Sequence, residues 1–214
     1  MIKLDIMSDP ICPWCYIGKR NLDMAFAETI EHPFTIEWHP FQLNPDMPRE
    51  GMDRRAYLEG KFGGKAQAVQ VYGRIDEYAR AAGLELNLKG IKRTPNTLDA
   101  HRLIHWAGLE HRQTPVVSAL FQAYFHDGKD ISAPDVLLEA AQFAEMNTEV
   151  VSRLLDSDAD ITDIQNRDAH ARQRGVSGVP TFVIDNQHVL TGAQPPETWV
   201  NVIKEIQEQL SASE

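Results

Sequence analysis

The chain has two cysteines, Cys12 and Cys15, and only two residues separate them. A pair at this spacing can exchange a disulfide with a partner or bind a metal ion. Disulfide exchange needs the thiolate, which an ordinary cysteine with a pKa of about 8.5 holds sparsely at neutral pH. Cys12 sits where a predicted helix begins, and the free N–H groups and positive dipole end of that helix favour an anion. Cys15 lies one turn further, within reach for closing a disulfide and releasing a bound partner.

The two residues between the cysteines fit this chemistry. Pro13 suits the first turn of a helix, where its missing N–H costs nothing and its ring stiffens the approach of the sulfurs. Trp14 adds an apolar surface beside the nucleophile. Neither residue is a histidine or lysine, so we expect a milder oxidant than a protein with a cation in that position.

A zinc site is the main structural alternative, because C-x2-C also begins zinc knuckles and ribbons. Zinc needs two more ligands, and the chain has no further cysteine. The histidine pair at helical i, i+4 spacing, His101 and His105, lacks the glutamate of an H-E-x-x-H motif. We therefore predict no metal. An inert reduced pair in the core is also disfavoured, since a helix entrance is a reactive setting and not a buried one.

A second motif lies at residues 175–181, GVSGVPT. A proline that opens a strand after two glycines suits a cis peptide bond. In a fold with the order β-α-β, helices, β-β-α, the loop before the third strand lies beside the start of the first helix. Val179 and Pro180 are therefore expected to face Cys12, with the Val179 backbone free to pair with a substrate strand.

The elements around the cysteines form a βαβ unit. Residues 1–7 alternate apolar and charged side chains and predict a strand, and the following helix ends at His32-Pro33. Residues 35–39 alternate again and predict a second strand. Beyond them the pattern becomes helical. Thr94-Pro95 and Thr114-Pro115 each place a capping hydroxyl before a proline suited to the first helical position, which predicts two antiparallel core helices.

The end of the chain returns to strands. Residues 180–184 and 188–191 predict a hairpin around the turn at 185–187, and a last helix begins at Pro195-Pro196. The order β-α-β, helices, β-β-α predicts an α/β protein with a thioredoxin fold and a large helical insertion.

Composition excludes several classes of function. The formal charge of −10 over 214 residues is spread without long runs of one sign, so we expect no nucleic-acid partner. No apolar stretch could span a bilayer, so we expect no membrane association. Lys3, Asp5 and Asp9 interrupt the apolar region that a secretory signal requires, which predicts a cytoplasmic protein.

The motifs together resemble the DsbA-like thioredoxin superfamily, and within it the FrnE-like branch of cytoplasmic oxidoreductases. The blocks that carry the resemblance are SDPICPWCYIGK, FQLNPDMP, PNTLDAHRLIHWA, LFQAYFHDGKDIS, GVSGVPTFVI and TGAQPPE. It implies a thioredoxin-like domain from residues 1–45 and 175–214 and an inserted all-helical domain from residues 46–174.

The resemblance also implies roles for single residues. Cys12 would be the nucleophile, Cys15 the resolving thiol and Pro180 a cis-proline. A substrate groove is implied between the two domains, with Asn96 and His101 facing the cysteines across it. Both have an ordinary alternative, because Asn96 can cap a helix and His101 borders an apolar face where histidines commonly pack.

A related branch, the 2-hydroxychromene-2-carboxylate isomerases, binds glutathione on the same scaffold but typically carries serine at the first cysteine position. The presence of both cysteines favours disulfide oxidation, reduction or isomerisation of thiol and disulfide substrates. The alternatives are a glutathione-dependent isomerase or transferase and a binding module with idle cysteines. No cofactor is required by the favoured hypothesis, glutathione is a candidate co-substrate, and the helical insertion is a candidate homodimer interface.

Overall fold

The structure, a computed structural model, describes residues 1–29 and 31–212. Its central sheet has four strands in the order β2-β1-β5-β6. The strands are β1 (Ile2–Ser8), β2 (Phe34–Pro40), β5 (Thr181–Ile184) and β6 (His188–Thr191). β1 is parallel to β2 and antiparallel to β5, which forms a hairpin with β6. The predicted α/β class and the β-α-β … β-β-α order are confirmed.

Two helices cover one face of this sheet. α1 (Pro13–Glu28) and α9 (Pro196–Ser211) pack against each other. Alternate strand residues such as Leu4 and Ile6 point into this layer and are almost fully buried. Phe182 from β5 meets Trp199 from α9 edge to face, with ring centroids 4.8 Å apart. This packing fixes α1, and with it the cysteines, at the carboxyl end of β1.

A long insertion separates β2 from β5. Its helices are α2 (Arg54–Phe62), α3 (Lys65–Ala81), α4 (Leu98–Leu109), α5 (Gln113–Phe121), α6 (Pro134–Phe143), α7 (Thr148–Leu155) and α8 (Ile161–Gln173), with a π-helical turn at Gln122–His126 after α5. A short antiparallel ribbon, β3 (Met52–Asp53) with β4 (Arg93–Thr94), ties the α2–α3 pair to the start of α4. The insertion is thus helical apart from this ribbon.

The starts of two insertion helices differ from the sequence prediction. Thr94 pairs with Met52 in the ribbon, and α4 begins later, at Leu98. α5 begins at Gln113, so Thr114 lies inside its first turn and does not cap it. The Thr114 hydroxyl instead accepts a hydrogen bond from the indole of Trp38 in β2, at 2.9 Å. In both cases a tertiary partner for the threonine replaces the local capping role that the sequence indicates.

The insertion and the sheet share one hydrophobic core. Residues from β1, α1, α4, α5, α6 and α9 belong to a single buried cluster. Gln113 of α5 reinforces the contact, because its side chain both accepts from the Trp38 N–H and donates to the Trp38 carbonyl. Among the described residues, no helix is long and apolar enough to cross a membrane.

Candidate functional site

The first cysteine stands at the N-terminus of α1. Cys12 is the N-cap residue and Pro13 occupies the first helical turn, as predicted. The Cys12 carbonyl accepts the N–H groups of Cys15 and Tyr16 at 3.1 and 3.2 Å. Its own N–H donates to the Asp9 carbonyl at 2.9 Å. The loop from β1 into the helix is therefore held by backbone bonds that do not depend on the sulfur.

The Cys12 side chain is more enclosed than the sequence indicates. The residue is only 3% exposed. Its thiol lies 3.5 Å from the carbonyl oxygen of Val179 and donates to it. The expectation that a helix entrance is an open setting is wrong here, because the loop before β5 lies over the sulfur. Val179, which makes this contact, and Trp14, two residues after Cys12, remain partly exposed.

Cys15 lies deeper, one turn along α1. It is 1% exposed, and both cysteines are free thiols. Burial raises the pKa of the Cys15 thiol well above its usual value, and hydrogen bonding to and repulsion from Cys12 raise it further. The Ser8 hydroxyl and the Asp9 backbone N–H act in the opposite direction. Cys15 is therefore a protonated, shielded thiol at neutral pH, adjacent to the Cys12 sulfur.

The loop before β5 contains the predicted cis-proline. The Val179–Pro180 peptide bond is cis. Thr181 donates its hydroxyl to the Gly178 carbonyl at 2.7 Å, and the Pro180 carbonyl accepts the Gly192 N–H at 2.8 Å. Gly18 of α1 packs under Pro180, and a Cβ on that glycine would lie 3.1 Å from the proline ring. Helix α1 and the proline loop are thus in direct contact beside the cysteines.

Aromatic side chains connect the site to the insertion. Trp14 packs edge to face against Tyr78 of α3, with ring centroids 5.2 Å apart. Tyr16, two residues further along α1, stacks on Phe121 and Phe125 at 5.0 and 5.7 Å. The insertion therefore forms one wall of the site, next to Trp14.

The two insertion residues predicted to face the cysteines are placed differently. Asn96 donates its amide N–H to the Met47 carbonyl at 2.6 Å and accepts the Leu98 N–H at 2.9 Å. Both ends of its amide are thus engaged in holding the 41–47 loop to the start of α4. His101 is 3% exposed, which places it beneath the site and not on a groove surface. Its Nε2 atom lies 3.8 Å from Oδ1 of Asp9.

Asp9 is the residue that the sequence prediction missed. The sequence indicates Asp9 only as one of the charged residues that interrupt the apolar region near the start of the chain, yet its side chain is fully buried. Its carboxylate accepts the N–H groups of Leu43 at 2.7 Å and Ile11 at 3.3 Å. Burial raises the Asp9 pKa from 3.8 to about 7, although these hydrogen bonds oppose the shift. The available signal was an acidic residue three positions before the first cysteine in an otherwise apolar stretch.

A cavity of about 800 Å³ lies between the sheet and α8 and reaches Val179 and Pro180. Its rim includes Arg167, His170 and Arg174, and neither cysteine lines it. Neither Asn96 nor His101 lines this cavity, so it differs from the groove that the resemblance implies. The Cys12 sulfur contacts it only through the Val179 peptide.

The described residues contain one cluster that could contact a metal ion, and it is remote from the cysteines in the sheet. Asp5, Glu37 and His39 bring their ligand atoms together. The Lys3 ammonium already lies between the acids, 2.9 Å from Asp5 and 2.7 Å from Glu37. In the described part of the chain, neither cysteine belongs to such a cluster. His105, a histidine considered as a zinc ligand, instead contacts Arg167 at 2.9 Å.

A cysteine pair at the start of α1, next to a cis-proline loop on a four-stranded mixed sheet, defines a thioredoxin-fold protein. Residues 3–204 match the DSBA-like thioredoxin domain. The chain therefore belongs to the DsbA-like thioredoxin family, and the predicted resemblance is confirmed.

Three solved structures share the fold of this chain. A probable DsbA oxidoreductase from Streptomyces coelicolor is 28% identical, with a TM-score of 0.83 over 96% of this chain and 89% of that one. A 2-hydroxychromene-2-carboxylate isomerase shares the fold at 16% identity and a TM-score of 0.71, over 99% of both chains. The cytosolic disulfide reductase DsbM from Pseudomonas aeruginosa is 19% identical, with a TM-score of 0.70 over 97% of this chain and 99% of that one. DsbM has also been solved with GSH.

Proposed function

We propose that this protein is a thiol–disulfide oxidoreductase that acts through a mixed disulfide on Cys12. The observation that supports this most directly is the position of Cys12. Its sulfur lies at the N-terminus of α1, contacts the Val179 carbonyl at 3.5 Å and neighbours the Cys15 thiol. A helix N-terminus stabilises the anion that the reaction needs.

The reaction proceeds in two exchanges. The Cys12 thiolate attacks one sulfur of a substrate disulfide, forming a Cys12–substrate disulfide and releasing the other substrate sulfur as a thiolate. Cys15 then loses its proton and attacks the Cys12 sulfur. The Cys12–Cys15 disulfide forms, and the second substrate sulfur leaves as a thiolate. The substrate has gained two electrons, and the cysteine pair has lost them. Run in reverse, the same steps oxidise a dithiol.

The different surroundings of the two cysteines support different roles for them. Because Cys15 is 1% exposed and its pKa is raised, it does not compete for substrate at neutral pH. It becomes reactive only when a disulfide has formed on its neighbour. Cys12 is itself only 3% exposed, so a substrate must displace part of what covers its sulfur, including the contact with Val179. Once it does, the Val179 backbone is positioned to pair with an extended substrate.

Glutathione is the small thiol partner that we propose for this pair. The support is the related fold of DsbM, which has been solved with GSH. A cytoplasmic location fits that partner, because glutathione keeps cytoplasmic thiols reduced. Glutathione would act as a reductant or mixed-disulfide partner and not as a bound cofactor.

The test compares Cys12→Ser with Cys15→Ser. We expect Cys12→Ser to abolish insulin reduction and the refolding of scrambled ribonuclease. Cys15→Ser should accumulate a covalent adduct on Cys12 after exposure to insulin or oxidised glutathione, detected by intact-mass spectrometry and removed by dithiothreitol. The two variants carry the same chemical change one helical turn apart, so each is the control for the other. Full activity in Cys12→Ser would rule out the proposal. Glutathione-dependent isomerisation that survives loss of Cys15 would favour an isomerase.

A further inference from the structure

The cavity of about 800 Å³ beside the proline loop lies over the face of the sheet opposite α1 and α9. Lys3, Asp5 and Met7 of β1 line it, and they alternate with the residues that point toward those two helices. On this face the insertion helices α4, α5 and α8 pack against β2, at one edge of the sheet. The cavity floor over β5 and β6 includes Val183 and Val189, and Val189 is 59% exposed. Part of the sheet face is therefore apolar and open.

One wall of the cavity is a face of α8 and the residue that ends it. Arg167, His170 and Arg174 are spaced i, i+3 and i+7, which places them on one side of the helix, and all three line the cavity. Arg167 already contacts the ring of His105 at 2.9 Å. The side chains of His170 and Arg174 are exposed, and within the described residues neither has a hydrogen bond or an ion pair. Two basic side chains thus line the cavity without a partner in this chain.

The loop that follows α8 adds hydrogen-bond donors to the same wall. Ser177, Gly178 and Val179 line the cavity, and their backbone N–H groups have no acceptor in the part of the chain that the structure describes. A Cβ on Gly178 would meet no atom within 4 Å, so the space beside the loop is open. Free N–H groups carry partial positive charge and favour an anion. This end of the cavity therefore suits an acidic group.

The one carboxylate among the described residues that line the cavity is already paired. Asp5 accepts the Lys3 ammonium at 2.9 Å and contacts Nε2 of His39 at 2.5 Å. The lining thus carries three cations, Lys3, Arg167 and Arg174, against one acid. The whole chain has a formal charge of −10, so this local excess is of the opposite sign. The cavity is an electropositive site on an acidic protein, and its field attracts negatively charged side chains.

We propose that this cavity binds the segment of a protein substrate next to its reactive cysteine, and that it selects segments with acidic side chains. The inference rests on the proposed function. A substrate joined to Cys12 lies beside Val179, whose peptide separates the sulfur from the cavity. An extended chain advances about 3.3 Å per residue, so a side chain two or three residues from the substrate cysteine comes level with Ser177 when the chain pairs along the loop. Arg174 and His170 are then the specificity-determining residues.

The test compares three peptide disulfides that differ only in charge. Each is the symmetrical disulfide of a short peptide with one cysteine, and glutamate, glutamine or lysine stands two positions away on both sides. Reduced protein is mixed with each disulfide and quenched with acid, and the released peptide thiol is quantified by chromatography. Each rate constant is divided by that of dithiothreitol with the same disulfide, which removes the effect of charge on the disulfide itself.

The wild type should prefer the acidic peptide. We expect its normalised rate constant at low salt to be on the order of tenfold larger with the glutamate peptide than with the lysine peptide, with glutamine between them. The glutamate-to-lysine ratio should shrink as salt screens the cations. Arg174→Glu should lower the ratio to about one or less. Arg153→Glu is the control, because it makes the same change at an exposed residue of α7 outside the cavity and should keep the wild-type ratio.

Each outcome bears on one proposal. A wild-type ratio near one overturns the inference while leaving the oxidoreductase intact. So does a ratio that Arg174→Glu lowers no more than Arg153→Glu does, because the net charge of the protein and not the cavity would then act on the substrate. If the wild type releases no thiol from any of the three peptides, the proposed function fails instead.

Discussion

Asp9→Asn is expected to stabilise the protein at high pH and not at low pH. The Asp9 side chain is fully buried, and its pKa rises from 3.8 to about 7 in the fold. The folded state therefore binds a proton more tightly than the unfolded chain. Stability from this group is greatest below pH 3.8, falls as the pH rises toward 7, and changes little above that. An asparagine at this position cannot ionise, so the variant should not show this loss.

The magnitude follows from the two pKa values. A tenfold change in proton affinity corresponds to about 1.4 kcal/mol, so the full difference between 3.8 and about 7 is worth roughly 4 kcal/mol. Between pH 5 and pH 8 the wild type should lose roughly 2 to 3 kcal/mol relative to the variant. Asparagine keeps one acceptor oxygen for the 2.7 Å bond from Leu43 and loses the longer bond from Ile11, at about 1 kcal/mol. Its new amide N–H faces the unpaired Nε2 of His101 and can donate to it.

The measurement is urea unfolding of the wild type and Asp9→Asn at pH 5 and pH 8, with Asp46→Asn as the control. Asp46 is exposed, so the same chemical change there should not alter the pH dependence. We expect similar stability for the wild type and Asp9→Asn at pH 5 and a more stable variant at pH 8. Parallel curves for these two proteins across the range would refute the reasoning, because burial would then impose no cost on the Asp9 charge.

Two further predictions concern a close packing contact and the hydrogen bonds of a buried arginine. Gly18→Ala would place a Cβ 3.1 Å from the ring of Pro180, so we expect the free energy of unfolding in urea to fall by about 1 to 2 kcal/mol and insulin reduction to weaken. Gly60→Ala is the control, because the space around this glycine is open. Its free energy of unfolding should rise by about 0.5 to 1 kcal/mol in the same assay. Equal effects at both glycines would contradict a tight contact under the proline. Arg102→Met should lower the free energy of unfolding in urea by about 3 to 5 kcal/mol, because this fully buried guanidinium donates to one carboxylate and three carbonyl groups. Arg153 is exposed, so Arg153→Met should change the free energy of unfolding little. A loss at Arg102 no larger than that at Arg153 would show that these bonds contribute nothing net.

Much of the site follows from local sequence. The position of Cys12 and Pro13 at the start of α1 is a property of a short segment, as is the location of Pro180 at the start of β5. Strand alternation and helical periodicity also give the element order, because side-chain direction is set by backbone geometry alone. These signals suffice to bring the proline loop beside the cysteines in a thioredoxin-like order.

Other features depend on contacts between distant segments. Thr94 has the local pattern of a helix cap, but pairing with Met52 places it in a strand. The 3% exposure of Cys12 comes from the loop that carries Val179, which no property of residues 12–15 determines. A local propensity is a small energy, so a tertiary partner readily overrides it.

Asp9 and His101 show this division most clearly. The sequence by itself determines that an aspartate precedes the cysteines and that a histidine lies on the first turns of an insertion helix. Only the tertiary structure brings Nε2 of His101 to 3.8 Å from Oδ1 of Asp9 and excludes water from both. Their shifted pKa values, raised for Asp9 and lowered for His101, are consequences of that exclusion, because the cost of a charge depends on its surroundings and not on the residue that carries it.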